Sequence, residues 1–505
     1  MIDSDNRILE LENEQLDKPF AHLFSDQEVN LALYNQIIEK GRGIINQSLE
    51  KNKKPCSGVS PAQLSKQFDS VDLNIPMPTI DSTLEELEKL YLDHAVYFHQ
   101  PSYAAHLNCP IVIPGLLAEV ILSSINSSVD TYDQSLGGTF IEKKVIEWTN
   151  DRIGYDKESD GIFTSGGTQS NMKALLIARD HYCWKRLGHS VFKNGLPAEA
   201  RKFRIFTSEI SHFSIQKNAA LIGLGQDAVV PISVDHEFRM DVGQLESKIL
   251  ASLRDGFIPI AVIATCGTTD FGSIDPLYPI AEIAHDYGLW MHADAAYGCG
   301  LLLSNEYTHL IDGLNLADSV TVDYHKSFFQ PVSCSAFLVK NKQHFNYFTY
   351  HADYLNPETQ DDEGIPNQVN KSIQTTKRFD ALKVWLTLRI MGPQHLGEYF
   401  DEPILLAKKV AAYIHKDPLF ELIHEPTLGT LVFRYIPKGE MPANRIDEIN
   451  ANIRKDLFKS GEALVAGTKF RGVQYLKFTL MNPTSTLQDI LRILNMIKHY
   501  AKQYK

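Results

Sequence analysis

The chain has 505 residues, of which 44% are hydrophobic and 22% charged, and its formal net charge is −13. This composition is typical of a soluble globular protein, and the length favours two or three lobes because single cores stop growing near about 250–300 residues. The acidic balance disfavours a nucleic-acid binder. No apolar run approaches the roughly 20 residues that span a membrane, and residues 1–15 lack the apolar core of a signal peptide. We therefore expect a cytoplasmic protein with no nucleic-acid or membrane partner.

The six cysteines are scattered along the sequence and form no Cys-X-X-Cys pair. This spacing supports neither a zinc site nor a redox motif. We predict that no metal is bound and that the cysteines are buried free thiols, as expected in a reducing compartment.

Residues 1–90 are predicted to form an N-terminal helical arm or lobe. The segment 80–98 begins with an Asp-Ser capping signal and repeats leucines at helical spacing. A polar stretch at residues 51–61 separates this segment from an opening helix.

Residues 91–380 alternate apolar strands with helices, which is typical of a large α/β domain with a mostly parallel sheet covered on both faces. Ligands of such sheets bind in the loops that follow the carboxyl ends of the strands. The predicted buried strands are residues 204–208, 228–233, 260–267, 289–297 and 318–323.

Residues 381–505 are predicted to form a small C-terminal α+β domain. A long helix over 377–396 leaves the large domain. Strands at 427–437 and 473–482 then flank a helix at 448–461, and an amphipathic helix ends the chain.

Four motifs fall at predicted strand ends, and the first two are modest when taken alone. In GIFTSGGTQSN, residues 161–171, small residues let backbone N–H groups approach a phosphate at a helix N-terminus, and Thr168 adds a hydroxyl. The same turn is also common as an ordinary helix cap, and no nucleotide-binding glycine motif is present. In residues 208–220, His212 is placed where it could stack on a cofactor ring, although a lone histidine there is more often an ordinary loop or core residue.

The third motif is HADAAYGCG, residues 292–300. Asp294 follows a buried strand, where a carboxylate needs a partner. A protonated pyridine nitrogen is such a partner, and their ion pair makes the ring an electron sink. Ala296 would then give the ring a flat surface, and nearby hydroxyls come from Thr265, Thr268 and Thr269.

The fourth motif places Lys326 after a buried strand in an apolar, aromatic neighbourhood. Desolvation is expected to lower the pKa of Lys326 and make it nucleophilic toward an aldehyde. His325 could reach a phosphate, although a lone His-Lys pair is also found in solvated turns. The order and spacing of the four motifs together indicate a site for pyridoxal 5′-phosphate (PLP).

Segments 161–171, 208–214, 264–276, 290–298 and 323–339 closely resemble the group II PLP-dependent amino acid decarboxylases, and the resemblance runs from about His99 to about Thr486. It implies PLP-dependent fold type I and an obligate homodimer with the active site at the subunit interface. It makes Lys326 the Schiff-base lysine, Asp294 the partner of the ring nitrogen and His212 the residue stacked on the ring. The further positions that it implies are Gly167, Thr168, Thr269, Ala296 and His325 for the cofactor, and His106 and Leu107 for the substrate.

Three features depart from the family pattern. Asp323 stands where many relatives have asparagine, and an ionised carboxylate cannot donate to a phosphate. Lys477 stands where glutamate-type relatives have arginine, which weakens a glutamate assignment because a bidentate fork is lost. The segment 355–378, predicted to be a mobile surface loop, lacks the tyrosine that helps protonate the intermediate in many relatives. Tyr354 lies just before the segment. Without a tyrosine in the segment itself, another donor, such as His212 or water, would have to supply that proton.

The overall pattern looks most like the bacterial decarboxylases that form diamines for polyamines or siderophores. The favoured substrate is L-2,4-diaminobutyrate, which would give 1,3-diaminopropane and CO₂. L-Lysine or L-ornithine is the second choice and an aromatic amino acid the third. A transaminase and an inactive PLP-binding paralogue stay open as alternatives. The acidic run 361–363 could attract a cationic side chain, but such runs are more often solvated loops.

Overall fold

The computed structural model describes residues 20–504. Its α-helices are α1 (Glu28–Lys51), α2 (Pro61–Ser65), α3 (Ile80–Leu90), α4 (Ile113–Ile125), α5 (Tyr132–Ser135), α6 (Gly137–Ile153), α7 (Gly167–Leu187), α8 (Val191–Asn194), α9 (Ser214–Leu221), α10 (Val242–Arg254), α11 (Leu277–Tyr287), α12 (Tyr324–Ser327), α13 (Thr359–Asp362), α14 (Ala381–Ile414), α15 (Ala443–Ser460) and α16 (Leu487–Ala501). Its strands are β1 (Tyr103–Ala104), β2 (Asp160–Thr164), β3 (Phe203–Ser208), β4 (Val229–Ile232), β5 (Ile258–Thr265), β6 (Trp290–Asp294), β7 (Ser319–Asp323), β8 (Ser335–Val339), β9 (Phe420–Leu422), β10 (Thr430–Tyr435), β11 (Leu464–Phe470) and β12 (Val473–Thr479).

The described chain divides into two compact units. One contains the residues up to Tyr103 together with Lys455–Leu464, and the other contains Ala104–Arg454 and the residues from Val465 onward. The three-part division at residues 90 and 380 stays a prediction.

In the first unit, α3 begins at a capping box in which the hydroxyl of Thr79 accepts from the backbone N–H of Ser82. The predicted helix therefore starts one residue before the Asp-Ser pair, and it ends at Leu90 rather than at residue 98. Two ion pairs join α1 to α3: Lys40 lies 2.8 Å from Asp81, and Lys51 lies 2.8 Å from Glu88. Such partly exposed pairs contribute little to stability, because water and salt screen the two charges.

The second unit is built on a seven-stranded sheet with the order β2-β8-β7-β6-β5-β3-β4. Strands β7, β6, β5, β3 and β4 pair in parallel, and only β8 runs antiparallel to its neighbours β7 and β2. The α/β class and the mostly parallel sheet are thus confirmed, and each predicted strand overlaps an observed one.

Both faces of this sheet are covered by helices. Along β5, Val262 and Ala264 belong to one hydrophobic core and Ala261 and Ile263 to another on the opposite face. Successive strand residues point to opposite faces, so a continuous apolar strand has to be buried on both sides. All of these side chains are fully buried.

A second sheet has the order β1-β11-β12-β10-β9. The final helix α16 buries Ile490, Ile493, Leu494 and Ile497 at helical spacing, as the amphipathic pattern predicted. The span α14 contains two helical segments, because the backbone at Gly392, whose φ is 77°, is not helical. The helix predicted over 377–396 therefore breaks at Gly392, and a second segment runs from Pro393 to Ile414.

Each cysteine is a buried free thiol, as predicted. Within residues 20–504, none of the helices combines the length and the hydropathy that a membrane crossing requires.

Candidate active site

A cavity of about 510 Å³ lies at the carboxyl ends of the parallel strands. Thr265, Asp294 and Asp323, the last residues of β5, β6 and β7, contribute to its wall. The other predicted site residues in the wall are Leu107, Gly167, Thr168, His212, Thr269, Ala296, His325 and Lys326. His106 is exposed and does not line the cavity, so its role in substrate binding stays a prediction.

Lys326 lies in the short helix α12, directly after β7, and its Nζ is 2.9 Å from Oδ2 of Asp323. Burial alone would lower the pKa of Lys326, but the charge of Asp323 and its hydrogen bond outweigh burial and raise the pKa above its ordinary value. The expectation of a lowered pKa for Lys326 is therefore wrong for this structure. The missing element in the prediction was Asp323, which stands three residues earlier in the chain.

Asp323 is itself buried, and its Oδ1 accepts a hydrogen bond from the hydroxyl of Ser335 at 2.6 Å. Burial alone would raise the pKa of Asp323, but the charges of Lys326 and His325 and these hydrogen bonds lower it. Asp323 therefore serves as the counterion of the lysine, which gives a physical role to the position that departs from the family pattern.

Asp294 is held by neutral donors. Oδ2 accepts from the side-chain amide of Asn171 at 2.7 Å, and Oδ1 accepts from the backbone N–H of Ala296 at 3.2 Å. No lysine, arginine or histidine within residues 20–504 forms an ion pair with it. A carboxylate that is 6% exposed, faces the cavity and forms no ion pair with a described residue is suited to bind a cationic group there.

His212 lies in the turn before α9. Its Nδ1 is 2.8 Å from the hydroxyl of Ser214, and the Ser214 backbone N–H also donates to Nδ1, at 3.3 Å. Burial, followed by the charge of Lys326, lowers the pKa of His212 and so favours a neutral ring, although Asp294 opposes this shift.

The N-terminus of α7 forms another part of the wall, with Ser165, Gly166, Gly167 and Thr168 in sequence. A Cβ on Gly167 would lie 2.9 Å from Oδ2 of Asp323, so only glycine fits without a shift of that carboxylate. Helix N-termini favour anions because their first N–H groups are unpaired.

These features fit PLP. The cavity is large enough, and the amine of Lys326 lines it at the position where an aldehyde could bind. The carboxylate of Asp294, which forms no ion pair with a described residue, suits a protonated ring nitrogen, and the start of α7 suits a phosphate. The fold and the cavity therefore define a PLP-binding α/β enzyme.

The segment 355–378 differs from the predicted mobile loop in its second half. Lys371 pairs with Asp160 at 2.7 Å, and Lys377 pairs with the fully buried Glu142 at 2.6 Å. These contacts anchor the second half of the segment to β2 and α6. Residues 373–376 of that half are exposed, as are most of residues 358–364 around α13. Tyr354 is 88% exposed.

Sequence reasoning missed two residues of the cavity wall, Asn171 and Lys217. Asn171 is the last residue of the first motif. Its position in the sequence did not predict a hydrogen bond to Asp294, which is 123 residues away. Lys217 also lines the cavity. Lys477 is buried and donates to Asp270 at 2.8 Å and to the carbonyl oxygen of Thr269 at 3.2 Å, so its charge is already paired.

Comparison with known proteins agrees with this site. The pyridoxal-dependent decarboxylase conserved domain matches residues 61–436. An L-2,4-diaminobutyrate decarboxylase from Acinetobacter baumannii is 41% identical over 434 residues, which are 84% of this chain and 85% of the relative. A second enzyme of that name, from Rhizobium meliloti strain 1021, is 37% identical over 97% of this chain and 96% of its own length.

A solved structure shares the same architecture. It is the glutamate decarboxylase domain of a diaminobutyrate-pyruvate transaminase and L-2,4-diaminobutyrate decarboxylase from Vibrio parahaemolyticus. It superposes with a TM-score of 0.87 at 34% identity and covers 96% of this chain and 98% of that one. The chain belongs to the pyridoxal-dependent decarboxylase family. It is a carboxy-lyase that uses PLP to remove the carboxyl group of an amino acid as CO₂.

Proposed function

We propose that this decarboxylase converts L-2,4-diaminobutyrate to 1,3-diaminopropane and CO₂. The main support for this substrate is that both relatives described above are named L-2,4-diaminobutyrate decarboxylase, at 41% and 37% identity over most of the chain. The buried pairing of Lys477 with Asp270 adds to this, because that lysine is not free to bind the side-chain carboxylate of glutamate.

We assign three residues to catalysis: Lys326, Asp294 and His212. When bound, PLP accepts the electron pair that remains when CO₂ departs. Lys326 provides the amine that holds the cofactor, and Oδ2 of Asp323, 2.9 Å from its Nζ, holds that amine in place. Asp294 keeps the ring nitrogen protonated, and Asn171 fixes the orientation of its carboxylate.

The remaining cavity residues orient the bound molecules. Gly167, Thr168 and His325 are assigned to the phosphate, Thr269 and Ala296 to the ring, and Leu107 and His106 to the substrate. Positioning of this kind lowers the barrier because the scissile bond has to lie perpendicular to the ring before it breaks.

We also propose that the enzyme is a homodimer. Helix α4 exposes an apolar face, with Ile113 at 80% and Ile125 at 70% exposure, together with Leu116, Leu117, Val120 and Ile121. Contiguous apolar surface of this kind typically marks a protein interface. Light scattering should give about twice the chain mass of 57.0 kDa, and Ile121→Asp should shift the mass toward one chain. A single-chain mass for the unmodified enzyme would contradict the dimer.

A cytoplasmic location remains an expectation from the sequence.

A decarboxylation screen tests the substrate. The purified holoenzyme is incubated with L-2,4-diaminobutyrate, L-ornithine, L-lysine, L-glutamate and an aromatic amino acid, while CO₂ and amine are measured. We expect the highest kcat/KM for L-2,4-diaminobutyrate. A higher kcat/KM for lysine, ornithine or an aromatic amino acid would show that the proposed substrate is wrong. Transfer of the amino group without release of CO₂ would indicate a transaminase.

A further inference from the structure

Asp294 and His212 are connected by one chain of hydrogen bonds that passes through Asn171. The side-chain amide of Asn171 donates to Oδ2 of Asp294 at 2.7 Å and to the hydroxyl of Ser214 at 3.1 Å. Ser214 in turn lies 2.8 Å from Nδ1 of His212. Both hydrogens of one amide group are therefore used, one toward each residue that we assign to catalysis.

The orientation of the Asn171 amide is fixed by its neighbours. An ionised carboxylate only accepts hydrogen bonds, so the NH₂ group must face Asp294. The carbonyl oxygen Oδ1 then faces the opposite way, where it accepts from the hydroxyl of Thr321 at 2.8 Å and lies 3.1 Å from Nε2 of His292. This contact is a hydrogen bond only when His292 carries its proton on Nε2.

The hydrogen bonds around His292, at the other end of this hydrogen-bond network, agree with this orientation of the Asn171 amide. The indole N–H of Trp290, which can only donate, bonds to the hydroxyl oxygen of Ser319 at 2.9 Å, and that hydroxyl lies 2.9 Å from Nδ1 of His292. Ser319 can thus donate its hydrogen to Nδ1. The Ser319 carbonyl oxygen is also 3.1 Å from Nδ1, but a proton there would leave Oδ1 of Asn171 facing an unprotonated nitrogen. The indole N–H of Trp290, which can only donate, and the carboxylate of Asp294, which only accepts, therefore agree on which group donates in each hydrogen bond between them.

The branch to His212 follows the same logic. The Ser214 hydroxyl oxygen accepts from Asn171, so its own hydrogen points to Nδ1 of His212. The Ser214 backbone N–H also donates to Nδ1. Two donors at Nδ1 leave Nε2 as the protonated nitrogen of the neutral ring.

We propose that Asn171 is a positioning residue that orients Asp294 and, through Ser214, fixes His212 as the neutral Nε2–H tautomer. This inference deepens the proposed function and rests on it for the roles of Asp294 and His212. In this state His212 offers one N–H donor. It is not the source of the proton that ends the reaction, because a neutral ring that lost its Nε2 proton would become an imidazolate anion. The charged groups that face His212 are Asp294, Lys326 and Asp323.

The tautomer can be observed directly in the unmodified holoenzyme. Solid-state NMR of protein labelled with ¹⁵N-histidine distinguishes a protonated from an unprotonated nitrogen in each ring, and the His212→Asn spectrum identifies the His212 signals. We expect Nε2 to be protonated and Nδ1 unprotonated. A proton on Nδ1, or a mixture of tautomers, would overturn the proposal without any variant of Asn171 having to fold.

Three variants then test the role of Asn171. Asn171→Leu should weaken PLP affinity and lower kcat, each by roughly 10- to 100-fold, because it leaves buried polar groups without partners, and it should make the His212 signals heterogeneous. Ser214→Ala cuts only the His212 branch, so it should lower kcat by roughly 3- to 10-fold while PLP affinity is unchanged. The control is Asn150→Leu, at a buried asparagine of α6 whose Oδ1 has no hydrogen-bond partner among the described residues. It should leave PLP affinity, kcat and the spectrum unchanged.

The outcomes separate this proposal from the proposed function. Wild-type PLP affinity and an unchanged His212 spectrum in Asn171→Leu would refute the positioning role. If the enzyme failed to decarboxylate L-2,4-diaminobutyrate while the NMR and PLP-binding results were as expected, the substrate would be wrong and the role of Asn171 would stand.

Discussion

Asp294 and Asp323 end the neighbouring parallel strands β6 and β7 and line the same cavity, yet they are held in different ways. Asp323 forms an ion pair with Lys326 at 2.9 Å and accepts from the hydroxyl of Ser335. Asp294 accepts only from neutral groups, the amide of Asn171 and the backbone N–H of Ala296, within the part of the chain that the structure describes. The two carboxylates are 2% and 6% exposed for Asp323 and Asp294, respectively, so burial does not distinguish them.

The difference shows that two aspartates at the same edge of a sheet can have different functions. A buried carboxylate without a cation is costly. The ion-pair partner of Asp323 is part of the chain, whereas Asp294 pairs with no charged side chain among the described residues, so a cation for it would have to enter the cavity. The protonated ring nitrogen of PLP is such a cation. We therefore infer that Asp323 controls the pKa of Lys326 and that Asp294 stabilises the protonated ring nitrogen of the cofactor.

The largest effect is expected from removing the amine that Asp323 holds. Lys326→Ala should lower turnover by about 10³-fold or more, because a nucleophilic group that forms a covalent bond has no substitute nearby. CO₂ release measures the loss. The matched control is Lys217→Ala, which removes another lysine of the cavity wall and should stay within about threefold of wild type. Comparable losses in both variants would contradict the assignment.

The next effect separates the two aspartates. Asp294→Asn should lower kcat by about 10²- to 10³-fold, since an amide cannot balance the ring charge. Asp323→Asn should cost only about tenfold, and it should lower the pKa of Lys326 because the charge that raises it is lost. The neutral amine would then be more abundant at a given pH, so apoenzyme of Asp323→Asn should take up PLP faster than wild type below neutral pH. Equal kcat losses with an unchanged pH profile of uptake would remove the distinction.

A smaller effect is expected at the first half of the segment 355–378, around α13. Deleting residues 359–365 spares the anchoring pairs of Lys371 and Lys377. If this half closes over the cavity, kcat should fall by roughly 10- to 100-fold and aldehyde side products should rise, because closure excludes water. PLP affinity should not change. Full turnover with clean product would show that these residues form an ordinary surface loop.

The smallest effect concerns a buried group outside the cavity. Burial lowers the pKa of His424, which packs against Phe238 and Phe271, to about 4. Between about pH 6.5 and 4 the unfolded chain binds a proton that the folded chain does not, so the free energy of unfolding should fall as the pH falls through this window. His424→Phe should reduce that fall by about 1–3 kcal/mol. Denaturant titrations at pH 7 and 4.5 measure it, and an identical pH dependence in both proteins would contradict this origin.

The parts that the sequence could predict are those encoded locally. Apolar runs between turn residues located the parallel strands, and motifs at their ends located Asp294 and Lys326. The second helical segment of α14 was not predicted in full, because Gly392 and Pro393 are residues that usually end a helix and do not indicate that helical backbone resumes and continues to Ile414. Hydrogen-bond partners were also hidden, since Asn171 and Asp294 come together only when α7 packs on the sheet. The direction of the Lys326 pKa was missed although Asp323 is close in sequence, because only the fold shows that its carboxylate points at the amine.

Lys326 is the residue that we expect to bind PLP covalently. The purified holoenzyme can be reduced with sodium borohydride, digested, and analysed by mass spectrometry for the peptide that carries the reduced cofactor. We expect one modified residue, Lys326. Recovery of the adduct on Lys217, which also lines the cavity, or recovery of no adduct at all, would contradict the account.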